Sequence, residues 1–91
     1  MKQIERIIHM EQILDEAEAA AEDLRKAIER CRLLQSAVQE LEHYYTGPEW
    51  KRDYLDDCEG RLPESLKRGV LSEDAVYNLL ALWKDQTNEM M

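Results

Sequence analysis

Ninety-one residues with twelve Lys and Arg against twenty Asp and Glu give a net charge of −8, which excludes a nucleic-acid or anionic-membrane binder that works by displacing phosphate counterions. No apolar run approaches the roughly 20 residues of a membrane span, and no signal-peptide core follows Met1, so a cytoplasmic setting is expected. The two cysteines, Cys31 and Cys58, form no CxxC or Cys/His cluster and read as free thiols.

The first element is the longest. From about Lys2 to Tyr45 there is neither Gly nor Pro, and Ala, Glu, Leu, Arg, Gln and Lys dominate, so the composition predicts one uninterrupted helix. Its apolar residues alternate in steps of three and four through Ile7, Met10, Leu14, Ala17, Ala21, Leu24, Ile28 and Cys31, then Val38 and Tyr45. That spacing is a heptad seam. Gln35 and Glu42 interrupt it, and Ile4, Ile8, Ile13 and Leu33 broaden it, which suits a helix with more than one neighbour. Glu22 and Lys26 have the i,i+4 spacing of a favourable ion pair.

Charge along this helix is sorted. Glu11, Asp15, Glu16, Glu18, Glu22 and Asp23 precede Arg25, Lys26, Arg30 and Arg32, and the changeover lies beside Ala17, Ala19, Ala20 and Ala21. Two antiparallel copies crossing near Ala21 to Leu24 would set acidic against basic stretches, whereas a parallel pair would oppose like with like.

Gly47 and Pro48 end the first helix and begin a second, expected over about Pro48 to Cys58 with Trp50, Tyr54, Leu55 and Cys58 on it. Gly60 stops that helix, with Leu62 placed for the apolar contact that follows a glycine stop. Pro63 to Arg68 reads as one helical turn closed by Gly69 at positive φ, after which Val70 and Leu71 point inward. Ser72 is an N-cap, with Glu73 and Asp74 in the first turn of a third helix to about Asp85; Val76, Leu79, Leu80 and Trp83 form its apolar face. Thr87 to Met91 is expected to fray.

The expected architecture is thus all-α: a single domain, 1–91, in which a long helix (1–45) precedes a cap of two or three short helices (46–91). The cap folds back on Leu34, Val38, Leu41, Tyr44 and Tyr45. Helices of 17–20 Å (about 1.5 Å per residue) cannot also cover Ile4 to Ile28, and a monomer rarely leaves such a stripe wet. The residues Ile7, Met10, Leu14, Ala17, Ala21, Leu24 and Ile28 are therefore the expected homodimer interface.

The string from Leu66 to Leu80, with Tyr44-Tyr45, Trp50-x-x-Asp53-Tyr54-x-x-Asp57 and Gly60-x-Leu62-Pro63 upstream, resembles a family of small bacterial proteins described as the domain of unknown function DUF4298. The resemblance is most specific from Tyr44 to Leu80. It implies a bacterial or phage setting and a helical protein with a long first helix, and brings no activity with it. Cys58 stands where the resemblance would place another acid.

Asp53, Asp56, Asp57 and Glu59 crowd the end of the second helix, where the dipole disfavours acids. Their spacing is not a calcium loop. They suit pairing with Arg61, Lys67 or Arg68; alternatively Asp53, Asp56, Asp57 and Glu59, with Lys67 and Arg68, are candidate residues for contact with a partner protein. His9 and His43 are isolated, and no phosphate loop or dinucleotide fingerprint is present, so no enzyme, metal or cofactor is expected. Two functional readings follow. One is an interaction module that dimerises through an antiparallel N-terminal coiled coil. The other is an acidic inhibitor or nucleic-acid mimic occupying a basic site on a partner, for which steep loss of binding with salt is the signature.

Overall fold

The computed structural model describes residues 2–89, and of Glu89 the backbone alone. All regular structure in it is helical: α1 (Gln3–Thr46), α2 (Pro48–Cys58), a 3₁₀ turn (Gly69–Leu71) and α3 (Ala75–Glu89). The chain divides into two units, Met1–Leu33 and Leu34–Met91, with α1 contributing to both.

In the first unit α1 is unbroken and almost wholly exposed; only Ile28 and Cys31 are half-buried. Its ion pairs are local. Arg25 meets Glu22 at 2.6 Å and Arg32 meets Glu29 at 3.8 Å. The anticipated Glu22–Lys26 pair gives way to Glu22–Arg25, because the longer, planar guanidinium reaches the carboxylate with two donors, Nε at 3.0 Å and Nη2 at 2.6 Å.

In the second unit the last turns of α1 carry α2, the 3₁₀ turn and α3. The exit from α1 is tight: Gly47 N–H donates to the Tyr44 carbonyl at 3.1 Å, and Thr46 Oγ1 donates to the Glu42 carbonyl at 2.8 Å. A Cβ at Gly47 would lie 3.0 Å from the His43 carbonyl oxygen, so the close approach selects glycine. Pro48 then occupies the first turn of α2, where no N–H is needed.

The end of α2 is a Schellman stop. Gly60 has φ +71°, its N–H donates to the Asp57 carbonyl at 3.0 Å, and Arg61 N–H donates to the Asp56 carbonyl at 2.9 Å. An apolar contact usually accompanies this motif; here the Arg61 and Asp56 side chains pair at 3.3 Å instead.

Beyond Gly60 the local expectations need correction. Pro63 to Arg68 is not a helical turn but a single hydrogen-bonded turn, Leu66 N–H to the Pro63 carbonyl at 3.1 Å. Gly69 opens the 3₁₀ turn rather than closing a helix, and the only positive φ among the described residues is at Gly60. Val70 faces outward at 38 % exposure while Leu71 is buried at 5 %. A 3₁₀ turn advances about 120° per residue, so two neighbours cannot both point inward. Ser72 caps as expected, its Oγ accepting from Ala75 N–H at 3.0 Å. Glu73 and Asp74 form a turn ahead of α3, which continues past Asp85 through Thr87 to Glu89. Thr87 Oγ1 donates to the Trp83 carbonyl at 2.7 Å in that last stretch; Met90 and Met91 lie outside the described residues.

The interior is slight. Leu71 and Val76 are the buried apolar residues, and the 3₁₀ turn that carries Leu71 packs against both α2 and α3. Val38, Leu41, Tyr44 and Tyr45 are half-buried as expected of the face under the cap, but Leu34 is exposed.

Candidate functional site

Two surfaces bear on function. The first lies on the N-terminal unit of α1. Of the seven residues expected at a dimer interface, Ile7, Met10, Leu14 and Leu24 are each about half exposed or more, Ala17 and Ala21 are exposed, and Ile28 is half-buried. Ile4, Ile8 and Ile13 are exposed on the same helix, Ile4 and Ile13 flanking the seam and Ile8 turned about 100° from Ile7. No described residue of α1 is buried.

The second surface is a polar and aromatic cluster in the C-terminal unit. Trp50 stacks on Tyr54 at 5.1 Å with ring planes 12° apart, and Tyr45 meets Trp50 edge-on at 5.1 Å. Trp50 Nε1 donates to the Val70 carbonyl at 2.9 Å. The Tyr54 hydroxyl donates to the Glu73 carboxylate and the Tyr45 hydroxyl to the Glu73 carbonyl, so both phenols hold the segment that precedes α3. Trp83 Nε1 donates to Gln35 Oε1 at 3.1 Å, and Lys84 pairs with Glu42 at 3.1 Å, which fastens α3 to the end of α1.

The crowded acids at the end of α2 are each engaged within the chain. Asp53 accepts from the Tyr44 hydroxyl at 2.6 Å. Asp56 and Glu59 share Arg61, at 3.3 and 2.6 Å. Asp57 pairs with Arg68 at 2.6 Å, both side chains being about two-thirds covered. Lys67 is exposed. No group of three metal-ligating side chains converges among the described residues.

Burial, and then the hydrogen bond to Asp53, push the Tyr44 hydroxyl up to about 12. The Tyr54 hydroxyl is also raised, first by its bond to Glu73 and then by Cys58. A phenol whose pKa is higher folded than unfolded (about 10) favours the fold while neutral, so its contribution is complete below pH 10 and fades as pH climbs toward 12. Alkaline absorbance titration of wild type minus Tyr44→Phe is therefore expected to isolate one phenolate appearing near pH 12; a difference centred at pH 10 would contradict the Tyr44–Asp53 bond.

Residues 7–91 match the family described as Domain of unknown function (DUF4298). The chain belongs to that family. No curated protein and no solved structure matches it. For this DUF4298 chain, the motif residues that carry the resemblance are those that bind the cap together: Tyr44 to Asp53, Trp50 to Val70, Tyr54 to Glu73, Asp57 to Arg68. Glu73, expected only as a first-turn acid of α3, is the acceptor for two tyrosines. Its only signal was two phenols upstream without a nearby acceptor, which does not say where in the chain the acceptor lies. No described helix is long and apolar enough to cross a membrane.

Proposed function

We propose that this DUF4298 chain is a non-enzymatic protein–protein interaction module that self-associates through an antiparallel pairing of the N-terminal part of α1. One observation carries the reading: Ile4, Ile7, Ile8, Met10, Ile13, Leu14 and Leu24 are all at least 48 % exposed on a single unbroken helix. Burying a large apolar side chain is worth about 1.5–3 kcal/mol, so the seam residues Ile7, Met10, Leu14 and Leu24, with Ile4 and Ile13 at their flanks, are a strong driving force for a partner, and an isolated helix has no other source of tertiary stabilisation. The C-terminal cap would serve as the folded head of the module, and a cytoplasmic setting goes with it.

The acids at the end of α2 are tied to Arg61, Arg68 and Tyr44, so an acidic mimic would act through the exposed stretch from Glu11 to Asp23 instead, and steep loss of partner binding with added salt distinguishes it from self-association. Sedimentation equilibrium or light scattering on the full chain tests the proposal. Twice the chain mass is expected at micromolar concentration, with weak dependence on salt; a monomer at high micromolar concentration overturns it.

A further inference from the structure

Resting on the self-association reading, we infer that the occupant of the α1 stripe is a second copy in one particular antiparallel register, with the two-fold axis beside Ala19 and Ala20. Ile7, Leu14, Ala21 and Ile28 share one heptad position; Met10, Ala17, Leu24 and Cys31 share the other. In antiparallel coils these two positions meet in layers. With the axis at this point, Ile7 faces Cys31 of the second copy, Met10 faces Ile28, Leu14 faces Leu24 and Ala17 faces Ala21. Met10–Ile28 and Leu14–Leu24 pair large side chains, Ala17–Ala21 pairs alanines at the centre where the helices approach closely, and Ile7 meets the smaller Cys31 at the ends.

Neighbouring registers lose this match. A slide of one heptad toward the C-terminus sets Ala17 against Ile28 and Ala21 against Leu24. It also requires Gln35 and Val38 to face Met10 and Ile7, although Gln35 is bonded to Trp83 and Val38 is half-buried. The opposite slide sets Met10 against Ala21 and Leu14 against Ala17 and leaves Ile28 without a layer. The charge sorting of the sequence alone points to a crossing near Ala21 to Leu24; the engagement of Gln35 by Trp83 and of Glu42 by Lys84 moves the axis N-terminal to that, beside Ala19 and Ala20.

Charge favours antiparallel over parallel pairing and is compatible with this register without choosing it over its neighbour. The residues flanking the seam on one side are Glu11, Glu18, Arg25 and Arg32. In this arrangement Arg25 of each copy lies beside Glu11 and Glu18 of the other, Arg32 lies beside Glu11, and Glu18 meets Glu18 across the axis, where the two Arg25 side chains are within reach to offset the like charges. The other flank carries Ile13, Ala20 and Ala27, and Ala20 meets Ala20 across the axis. Arg25 is held by Glu22 within its own chain, but both groups are exposed, and an exposed pair of this kind is weak enough to be exchanged. A parallel pair would instead lay the stretches from Glu11 to Asp23 side by side and set Cys31 against Cys31.

Cross-linking with a short bismaleimide reads the register directly. In a full chain carrying Cys31→Ser and Cys58→Ser, Ala20→Cys is expected to yield covalent dimer at least about tenfold faster than the outward-facing Gln12→Cys, through the higher effective concentration of paired thiols. The chain retaining Cys31 with Cys58→Ser is expected to stay uncoupled. Charge exchange gives an independent readout: Arg25→Glu should weaken the dimer about tenfold, and adding Glu11→Arg with Glu18→Arg should restore it. A dimeric mass with Cys31 coupling to itself, or with no coupling through Ala20→Cys and no charge rescue, overturns the register while leaving self-association in place. A monomeric mass for wild type removes both.

Discussion

Leu24→Asp is expected to turn the proposed dimer into a monomer. Leu24 is 61 % exposed in the single chain and sits in the middle of the stripe. The substitution removes about 1.5–3 kcal/mol of apolar burial from each copy and places a carboxylate where the second copy excludes water, an unpaired charge that costs several kcal/mol more. Because the proposed pair is two-fold symmetric, the change would be felt twice. A rise in dissociation constant of more than about a hundredfold corresponds to roughly 3 kcal/mol and is the lower bound expected. Sedimentation velocity should show monomer at concentrations where wild type is dimeric. Far-UV circular dichroism should fall as the first thirty residues lose the contacts that keep a solitary helix folded, while the near-UV signal of Trp50 and Trp83 persists. Gln12→Asp, on the outer face, should leave the mass unchanged. An unchanged mass for Leu24→Asp would show that the stripe is not the interface.

Trp50→Ala is expected to unfold the C-terminal unit and spare the proposed pairing of the N-terminal helix. Trp50 joins α2 to Tyr45 of α1 by an edge contact, stacks on Tyr54, and ties the 3₁₀ turn through the Val70 carbonyl. Removing a large aromatic from such a position costs about 3 kcal/mol or more. A unit with Leu71 and Val76 as its buried apolar residues has only a few kcal/mol of net stability to lose. Urea unfolding followed by the remaining Trp83 fluorescence should lose its cooperative transition, while the dimeric mass is kept. Trp50→Phe, which retains a ring but not the indole N–H, should cost only about 1 kcal/mol. A Trp50→Ala variant that unfolds at the wild-type midpoint would mean that the cap is held by something other than this aromatic cluster.

The legible parts of the fold are those governed by neighbours in sequence. Gly47-Pro48 and Gly60 punctuate the chain where expected, since a helix ends where its next residue prefers another φ or lacks an N–H. Ser72 caps α3 by a bond spanning three residues. The pairing of Asp56 and Glu59 with Arg61, and of Asp57 with Arg68, follows from oppositely charged groups within one loop. The misread parts lie between Pro63 and Asp74, where glycine and proline suggest turns but do not choose among them. Gly69 has no neighbour that would meet a Cβ and no positive φ, so turn chemistry alone could not assign its role.

Composition and heptad spacing by themselves determined that α1 is one helix, that it is acidic before it is basic, and that its greasy face outruns the rest of the chain. Those properties rest on dihedral preference and on the 3.6-residue period, which act within a few positions. Tertiary structure alone decided that Glu73 serves Tyr54 and Tyr45, that Leu71 turns inward instead of Val70, and that Gln35 binds Trp83, 48 residues away. Such choices depend on which backbone segments come to lie side by side, and no local preference encodes them. The same decision, by engaging the end of α1 with α3, confines the open stripe to the part of the helix before Leu34.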